Sequence, residues 1–300
     1  MRDLIIIGAG PAGLAAGIYG KRAGLDTLVI DETGIGGGQV VSTYEIDNYP
    51  GLPGISGMEL GDALKNHAVG CGVEFADASV MGISKKESAF FVETSEGLME
   101  AKAVIAATGA THKHLMIPGE DELQGMGVSY CATCDGAFFK NRVTAVVGGG
   151  DVALEDALFL ARGCSKVYLI HRRNEFRGAK VLADKVLATE NIEIIYDSKV
   201  TKVSGEDMVE SITVENVKTA EVSEIAVSGL FIAVGMQPTT DIFEGFVDMD
   251  NGYIVAKEDG ITSVEGFFVA GDVRTKALRQ IITAAADGAN AATSAAAYLT

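Results

Sequence analysis

The stretch "DLIIIGAGPAGLAAGIYGKRAGLDTLVID", residues 3–31, decides the fold. An apolar run, a glycine turn, an alanine-rich helical stretch and a second apolar run follow one another, and this order predicts a β-α-β unit. Gly8, Gly10 and Gly13 have the G-x-G-x-x-G spacing between strand and helix. In dinucleotide-binding folds the first glycine makes the tight turn, the second lets the backbone approach a pyrophosphate, and the third brings the helix against the strand. The phosphates then lie at the helix N-terminus.

The same plan returns in "NRVTAVVGGGDVALEDALFLARGCSKVYLIHRR", residues 141–173. Gly148, Gly150 and Ala153 have the corresponding spacing. A single glycine turn is weak evidence, and the alternative to nucleotide binding is two incidental turns. Because both copies lie in a full β-α-β context, we predict two nucleotide-binding units.

The two copies differ at the end of their second strand, the position that selects the cofactor. The first copy has Asp31 and Glu32 there, and a carboxylate at this place accepts hydrogen bonds from an adenosine ribose. The second copy has a basic group instead, which consists of His171, Arg172, Arg173 and Arg177. Arginines at this place accommodate a 2′-phosphate, although a solvated strand end is the simpler alternative. We therefore predict FAD in the first unit and NADPH, rather than NADH, in the second.

Composition and charge limit the remaining possibilities. The chain has 300 residues, 48% of them hydrophobic, and 24 basic against 41 acidic side chains give a net charge of −17. This balance argues against a main role in binding nucleic acid or an anionic membrane. An uncharged stretch covers residues 4–20, but its glycines and Pro11 argue against a signal peptide or a membrane span. Four cysteines are too few for a secreted disulfide scaffold, so we expect a cytoplasmic protein.

The segments around the second unit predict the domain crossings. Strand-like runs at residues 103–110 and 230–238 end in or near glycine and bracket the second unit. We place short links just after them, at residues 112–118 and 237–241. Near the C-terminus a strand ends at Gly271 and Asp272, and an alanine-rich helix follows whose N-terminus, near Arg279–Ile281, is positive by its dipole.

The stretch "YCATCDG", residues 130–136, carries the chemistry. A lone C-x-x-C serves zinc sites, oxidoreductases and structural staples alike. Zinc would need two further ligands, and the candidates form no second paired motif; they are Cys71, Cys164, His67, His112 and His114. We interpret Cys71 and Cys164 as small packing residues. A disulfide that exchanges electrons between two nucleotide units is the favoured interpretation.

Taken together, the opening glycine motif, C-A-T-C-D between the two units, H-R-R-x-x-x-R and R-Q near the C-terminal "AGD" segment resemble the low-molecular-weight thioredoxin reductases. The resemblance runs nearly the full length. It implies an α/β fold of two Rossmann-like, three-layer nucleotide-binding domains, with the second inserted in the first. It further implies a discontinuous FAD domain at residues 1–112 and 241–300, an NADPH domain at residues 113–240 that carries the C-x-x-C, and a homodimer.

The same resemblance implies a mechanism and its residues. Hydride passes from NADPH to FAD and then to the Cys131–Cys134 disulfide, with rotation of the NADPH domain about its links. Cys134 faces the flavin, Cys131 attacks the disulfide of thioredoxin or of a similar dithiol protein, and Asp135 is the acid/base. Residues similar to the family's FAD contacts are Gly8, Gly10, Pro11, Ala12, Gly13, Asp31, Glu32, Gly38, Gln39, Asn48, Gly109, Gly271, Asp272, Arg279, Gln280 and Ile281. Residues similar to its NADPH contacts are Gly148, Gly150, Asp151, Ala153, His171, Arg172, Arg173, Arg177 and Gly235.

Related enzymes are the nearest alternatives. Ferredoxin-NADP reductases lack the cysteine pair, ferredoxin-driven thioredoxin reductases tend to lack the basic NADPH signature, and a dithiol oxidase would not need His171–Arg177. A non-catalytic flavoprotein sensor belongs to a different class and would show no turnover. One departure from the family pattern is the loop before Gln39, which has three consecutive glycines where two are usual.

Overall fold

A computed structural model describes residues 1–43, 46 and 48–300. The chain divides into two compact units: Met1–Thr111 with Gln237–Thr300 form the first, and His112–Met236 form the second. The chain thus leaves the first unit once and returns to it. The sequence places the two crossings at residues 112/113 and 240/241, and the compact units change at 111/112 and 236/237.

The helices and strands are numbered in chain order. The N-terminal segment contains β1 (Arg2–Ile7), α1 (Pro11–Arg22), β2 (Thr27–Asp31), a 3-10 helix (Gly38–Ser42), α2 (Gly57–Gly70), β3 (Glu74–Asp77), β4 (Val80–Lys86), β5 (Ala89–Thr94), β6 (Gly97–Ala106) and β7 (Ala110–His112). The middle segment contains β8 (Val128–Ser129), α3 (Ala132–Asp135), a 3-10 helix (Gly136–Phe139), β9 (Val143–Gly148), α4 (Asp151–Ala161), β10 (Lys166–Ile170), α5 (Lys180–Leu187), β11 (Ile192–Ile195), β12 (Ser198–Ser204), β13 (Ser211–Asn216), β14 (Val222–Ala226), β15 (Gly229–Ala233) and β16 (Met236–Pro238). The C-terminal segment contains a 3-10 helix (Asp241–Phe243), β17 (Met249–Asp250), β18 (Tyr253–Ile254), β19 (Phe267–Val269) and α6 (Ile281–Leu299).

The first unit is built on a mixed sheet of order β3-β2-β1-β6-β5-β4, with β19 also paired to β6. The strands β3, β2, β1, β6 and β19 run parallel, whereas β4, β5 and the first half of β6 form an antiparallel meander. Alternate residues of β1 enter different cores: Leu4 and Ile6 pack toward α1 and α6, and Ile5 and Ile7 pack with Phe90 on the other face. Because both faces are covered, the strand is a continuous apolar run, which is typical of parallel sheets.

Helix α6 lies unusually close to α1. A Cβ on Gly288 would overlap the carbonyl oxygen of Ala12 and contact Ala16, and a Cβ on Gly271 would lie 2.8 Å from the Cβ of Ala12. Small side chains on both helices permit this approach, which accounts for the alanine-rich composition of α6. The N- and C-terminal segments of the chain thus share one core.

The second unit is built on a parallel sheet of order β11-β10-β9-β15-β8. Helices α4 and α5 pack on one face, where Leu154, Leu160 and Val186 are buried. The antiparallel sheet β12-β13-β14 contributes Val200, Ile212 and other apolar residues to the opposite face. The α/β class predicted from the sequence is confirmed.

The two links pair with each other instead of forming open loops. Strands β7 and β16 form a two-stranded sheet, and the Thr239 N–H donates to the carbonyl oxygen of Gly109 at 3.1 Å. Among the described residues no helix is long and apolar enough to cross a membrane.

Candidate functional site

Cys131 and Cys134 are joined by a disulfide at the start of the short helix α3. Cys131 is the N-cap residue with an extended backbone, and its carbonyl oxygen accepts the N–H groups of Cys134 and Asp135 at 3.2 and 3.1 Å. The single helical turn therefore brings the two sulfur atoms together. Within the described part of the chain no group of three metal-ligating side chains is present, and both sulfurs are bound to each other.

Asp135 is tied to the disulfide through Ser129, a residue that the sequence analysis did not select. The Ser129 hydroxyl donates to Asp135 Oδ2 at 2.6 Å and accepts the Cys131 N–H at 3.1 Å. Burial raises the pKa of Asp135, and the hydrogen bond from Ser129 opposes this shift. Asp135 therefore keeps a proton to higher pH than an exposed aspartate, which suits a group that exchanges protons with thiols.

The first glycine turn has the geometry of a dinucleotide site. Gly8 has a φ of 107°, which favours glycine, and a Cβ there would overlap the carbonyl oxygen of Ala107. A Cβ on Gly13 would overlap the carbonyl oxygen of Gly8. A Cβ on Gly10 would meet nothing closer than the Cα of Gly38, at 4.0 Å. The turn is closely packed at its two outer glycines and open at the middle one, where the phosphates would approach.

The two acidic residues predicted to bind ribose lie at the end of β2 and directly after it. Asp31 Oδ2 accepts the Thr33 hydroxyl at 2.8 Å and the Gly36 N–H at 3.3 Å, and Glu32 accepts the Ser79 hydroxyl at 2.9 Å. Asp31 therefore also orders the glycine loop that follows it. All three consecutive glycines of this loop, at positions 36–38, have positive φ, which explains the departure from the family pattern.

The C-terminal segment brings its predicted residues next to residues from the N-terminal part of the first unit. Asn48 Nδ2 donates to Gln280 Oε1 at 2.9 Å across 232 positions of sequence. The Arg279 guanidinium lies 4.1 Å from the ring centroid of Tyr253 and donates to the carbonyl oxygen of Asp272 at 3.3 Å. Helix α6 begins at Ile281, with Gln280 as its N-cap residue.

Asp272 is the residue of this segment whose surroundings indicate a missing partner. Its Oδ1 atom is buried without a hydrogen bond among the described residues and lies 4.0 Å from Nζ of Lys276, too far for a hydrogen bond. Burial raises the pKa of this carboxyl. A buried polar atom is normally paired. A ligand hydroxyl at this place would supply the partner, so the residues present fit a flavin nucleotide with its ribityl chain.

A charged group centred on Asp287 lies beneath this segment and was not predicted from the sequence. Asp287 of α6 accepts Arg274 at 2.9 and 2.7 Å, Lys276 at 2.8 Å and the backbone N–H of Gly271 at 3.0 Å. Burial opposes the ionisation of Asp287, but the bonds from Arg274 and Lys276 outweigh it and hold its pKa below the usual value. One sequence signal was available, since Asp287 is the single charged residue of α6.

The second glycine turn is hydrogen-bonded to the basic loop of its own unit. The Gly149 carbonyl oxygen accepts the N–H groups of Arg177 and Gly178 at 2.7 and 3.1 Å. Asp151 Oδ1 accepts the Ala179 N–H at 2.6 Å, so this side chain holds the loop. A Cβ on Gly150 would meet no atom within 4 Å, which leaves the centre of the turn open in the same way as at Gly10.

The basic group divides into one buried ring and three exposed cations. Burial lowers the pKa of His171, whose ring lies where a Cβ on Gly149 would be, and its Nε2 atom is buried without a partner among the described residues. Arg172, Arg173 and Arg177 are exposed, and none forms an ion pair within the described residues. Three unpaired guanidinium groups at the end of a parallel strand fit a phosphate monoester.

The other predicted contacts lie in the same two turns or on glycines near the links. Pro11 and Ala12 open α1, and Ala153 lies in the first turn of α4 with its Cβ against Gly148. Gly109 and Gly235 have positive φ, and a Cβ on Gly109 would meet no atom within 4 Å. Gln39 lies in the 3-10 helix Gly38–Ser42.

Two nucleotide-type turns on separate units and a C-x-x-C disulfide define a nucleotide-dependent disulfide oxidoreductase. The chain matches the pyridine nucleotide-disulphide oxidoreductase family over residues 2–288 and belongs to it. Membership implies a flavin and a pyridine nucleotide as cofactors.

Similar proteins narrow the assignment within the family. The thioredoxin reductase of Treponema pallidum is 45% identical over 298 residues, which cover 99% of this chain and 97% of that protein. The thioredoxin reductase of Bacillus subtilis is 42% identical over 299 residues, covering 99% and 94%. The crystal structure of thioredoxin reductase from Streptococcus pyogenes is 42% identical with a TM-score of 0.94, covering 100% of this chain and 98% of that one. The resemblance inferred from the sequence and the Rossmann-like fold class are confirmed.

Proposed function

We propose that this protein is an FAD-containing thioredoxin reductase that uses NADPH. The observation that carries the proposal is the Cys131–Cys134 disulfide, with the buried carboxyl of Asp135 linked to it through Ser129. It lies in the same unit as the basic nucleotide turn. The identity of the relatives supports thioredoxin, or a protein with a similar dithiol, as the substrate.

In the first unit, the residues around the open glycine turn would hold FAD. The N-terminus of α1 offers its backbone N–H groups to the pyrophosphate, and Asp272 offers to a ligand hydroxyl an oxygen that has no hydrogen bond among the described residues. The Asn48–Gln280 hydrogen bond and the Arg279 side chain, which donates to the carbonyl oxygen of Asp272, lie at the start of α6. When bound, a flavin and a nicotinamide supply two-electron hydride chemistry that no side chain offers.

In the second unit, the arginines at the end of β10 would select NADPH. Arg172, Arg173 and Arg177 are exposed, and their fork-shaped donors match the oxygens of a 2′-phosphate. His171 is neutral at physiological pH because burial lowers its pKa. It therefore contributes packing and a hydrogen bond instead of charge.

The cysteines would carry electrons to the partner protein by two exchange steps. In the reduced pair, the Cys131 thiolate attacks the partner's disulfide, forms a mixed disulfide and releases one partner thiolate. The Cys134 thiolate then attacks the Cys131 sulfur, restores the Cys131–Cys134 bond and releases the second partner thiolate. The pair loses two electrons and the partner gains them, and protons from solvent convert the released partner thiolates to thiols. Asp135 holds the proton that Cys134 gains and loses.

The decisive experiment combines cofactor preference with turnover. Stopped-flow mixing with NADPH and with NADH would measure flavin reduction, and candidate thioredoxins would then be screened as electron acceptors. We expect faster reduction by NADPH, and turnover of a thioredoxin that is lost in Cys131→Ser and Cys134→Ser. Cys71→Ser is the matched control and should keep turnover. A protein that binds both nucleotides but reduces no dithiol partner would instead be a sensor.

Three further expectations belong to the same proposal. We propose rotation of the second unit about the two links, a homodimer and a cytoplasmic location. The resemblance to the family supports all three. Distance measurements between spin labels in oxidised and NADPH-reduced protein would test the rotation, and light scattering would test the dimer. One fixed label distance in both states would refute the rotation.

A further inference from the structure

Tyr130, the residue before the redox pair, is held by a group of titratable side chains that the proposed function does not use. Its ring stacks on His112, with centroids 5.2 Å apart, and contacts the ring of His114 at 5.0 Å. Its hydroxyl lies 2.8 Å from Glu120 Oε1 and 2.9 Å from His114 Nδ1. We name Tyr130, His112, His114 and Glu120 the tyrosine clamp.

Glu120 is the fixed end of the clamp. It is buried, and it accepts the backbone N–H groups of Leu115 and Ile117 at 2.9 and 3.4 Å as well as the Tyr130 hydroxyl. The carboxylate is therefore anchored by the loop that carries it. A hydrogen bond to a buried carboxylate is strong and directional, so Tyr130 is held in one position.

The proton count of the clamp imposes a condition on His114. Burial and the bond to Glu120 raise the pKa of Tyr130, so the phenol keeps its single proton. This proton goes to Glu120, and the contact with His114 is a hydrogen bond only if Nδ1 of His114 donates to the phenol oxygen. Both the doubly protonated ring and the neutral ring with its proton on Nδ1 meet this condition. Nδ1 also lies 3.5 Å from Glu120 Oε1 and 3.3 Å from Asp121 Oδ1, so a proton on this nitrogen faces two carboxyl groups.

The remaining neighbour of the clamp does not compete for this role. Burial, and secondly the charge of His114, lower the pKa of His112. His112 therefore stays neutral and acts as a stacking surface for Tyr130. The groups that face His114 are thus Glu120, Asp121, the phenol of Tyr130 and the neutral ring of His112.

The clamp acts on Cys131 through the backbone. Cys131 has an extended conformation, with φ −143° and ψ 100°, and in extended chain successive side chains point to opposite sides. Tyr130 therefore fixes the segment from one side, while the disulfide lies on the other. Ser129 belongs to the same segment and joins the Cys131 N–H to Asp135. Movement of Tyr130 would displace both connections.

We propose that Tyr130 is a positioning residue for Cys131, and that the stability of the Cys131–Cys134 disulfide depends on the hydrogen bonds of the Tyr130 hydroxyl with Glu120 and His114. The proposal rests on the redox role of this pair. With the clamp complete, the Cys131 backbone is held where the disulfide requires it, since a disulfide tolerates only a narrow range of Cα separations. With the clamp open, the dithiol gains freedom, and the disulfide is less stable relative to it.

The test measures the disulfide directly and requires no NADPH turnover. The protein with its bound flavin would be equilibrated in glutathione or dithiothreitol buffers from pH 5.5 to 8.5, then acid-quenched and alkylated. Peptide mass spectrometry would give the oxidised fraction of the pair. The variants are Tyr130→Phe, which keeps the ring, and His114→Leu, which removes the hydrogen bond to the phenol oxygen. Matched controls are Tyr168→Phe in the same unit and His67→Leu on α2.

We expect Tyr130→Phe to lower the equilibrium constant for disulfide formation roughly three- to tenfold at pH 5.5, the effect of one lost hydrogen bond. His114→Leu should lower the same constant by about threefold, because it removes only the second hydrogen bond of the hydroxyl. Both controls should follow wild type. Near-ultraviolet circular dichroism would check that each variant is folded.

Two outcomes would overturn the proposal. One is superposition of Tyr130→Phe on wild type at every pH, and the other is superposition of His114→Leu on wild type at every pH. Failure of the proposed function has a different signature. A protein that reduces no thioredoxin, yet shows the expected shifts in both variants, would refute the reductase and keep the clamp.

Discussion

The two glycine turns are similar in sequence and differ in how the chain supports them. The first turn depends on residues from both ends of the chain, with Asn48 bonded to Gln280 and Asp287 bonded to the Gly271 N–H. The second turn is supported by its own loop, through bonds from Arg177 to Gly149. We infer that the first site is built to keep its cofactor, whereas the second is built for a nucleotide that binds and leaves.

The largest effect is expected at the support of the first turn. Asp287→Asn leaves Arg274 and Lys276 buried without their counter-charge, and breaking a buried ion pair in this way costs about 3–5 kcal/mol. Calorimetry should show a lower melting temperature and earlier flavin release. The exposed Asp62→Asn on α2 is the matched control. Unchanged flavin release would mean that the first turn does not depend on the C-terminal helix.

The same variant predicts a pH dependence with a definite sign. The pKa of Asp287 is lowered in the folded state, so its stabilising contribution is present above the unfolded pKa of about 3.9 and is lost as the pH falls through the folded value. Wild type should therefore lose stability in acid by an increment that Asp287→Asn lacks. Parallel acid curves for the two proteins would contradict this assignment.

Each unit also has a buried carboxyl whose pKa is raised, Asp272 in the first and Asp135 in the second. Only Asp135 is linked to the cysteines. Asp135→Asn should slow thioredoxin reduction by about 100-fold, the range of general acid–base catalysis. Since a raised pKa means that the ionised form is penalised in the fold at neutral pH, the variant should melt no lower than wild type. Asp184→Asn on α5 is the exposed control. Turnover by Asp135→Asn equal to that of wild type would show that Asp135 takes no part in proton exchange.

The exposed arginines give the next effect. Arg172→Gln should raise the KM for NADPH by about tenfold or more, because a charged hydrogen bond contributes about 1.5–3 kcal/mol. The KM for NADH should not change, since NADH has no 2′-phosphate. Arg142→Gln, at the exposed residue directly before β9, is the matched control. An equal rise in the KM for NADPH and for NADH would show that Arg172 does not recognise the 2′-phosphate.

The smallest effect compares the third position of each turn. Gly13→Ala should destabilise the first unit by about 1–3 kcal/mol, because its Cβ would overlap the carbonyl oxygen of Gly8. Ala153→Gly, the mirrored change, should cost only about 1 kcal/mol of helix propensity. Thermal melts of both variants would measure the difference. Equal costs would show that the two turns tolerate a methyl group alike.

The features predictable from the sequence are those with a local signal. The glycine spacings, the acidic and basic strand ends and the C-x-x-C are each contained within about thirty residues. These patterns were enough to find both turns and the disulfide. The Asn48–Gln280 bond was not predictable in this way, although the resemblance named both residues, because no local pattern specifies a contact across 232 positions.

The missed residues are buried polar groups whose partners are specified by packing. Ser129, the last residue of β8, lies close enough to the start of α3 to bond both the Cys131 N–H and the Asp135 carboxyl. Asp287 lies in an alanine-rich helix without a local motif around it, and its carboxylate accepts hydrogen bonds from Arg274, Lys276 and the Gly271 N–H. The second link was expected at residues 237–241. Its first two residues belong to strand β16, which pairs with β7.

The close approach of α1 and α6 has a consequence for biosynthesis. Helix α1 is synthesised long before α6, yet Gly288 of α6 packs on the backbone of Ala12. The second unit lies between these two helices in the chain and can fold while synthesis continues. The first nucleotide turn stays exposed on the nascent chain until α6 has been made, and we expect it to need protection by a chaperone during that interval.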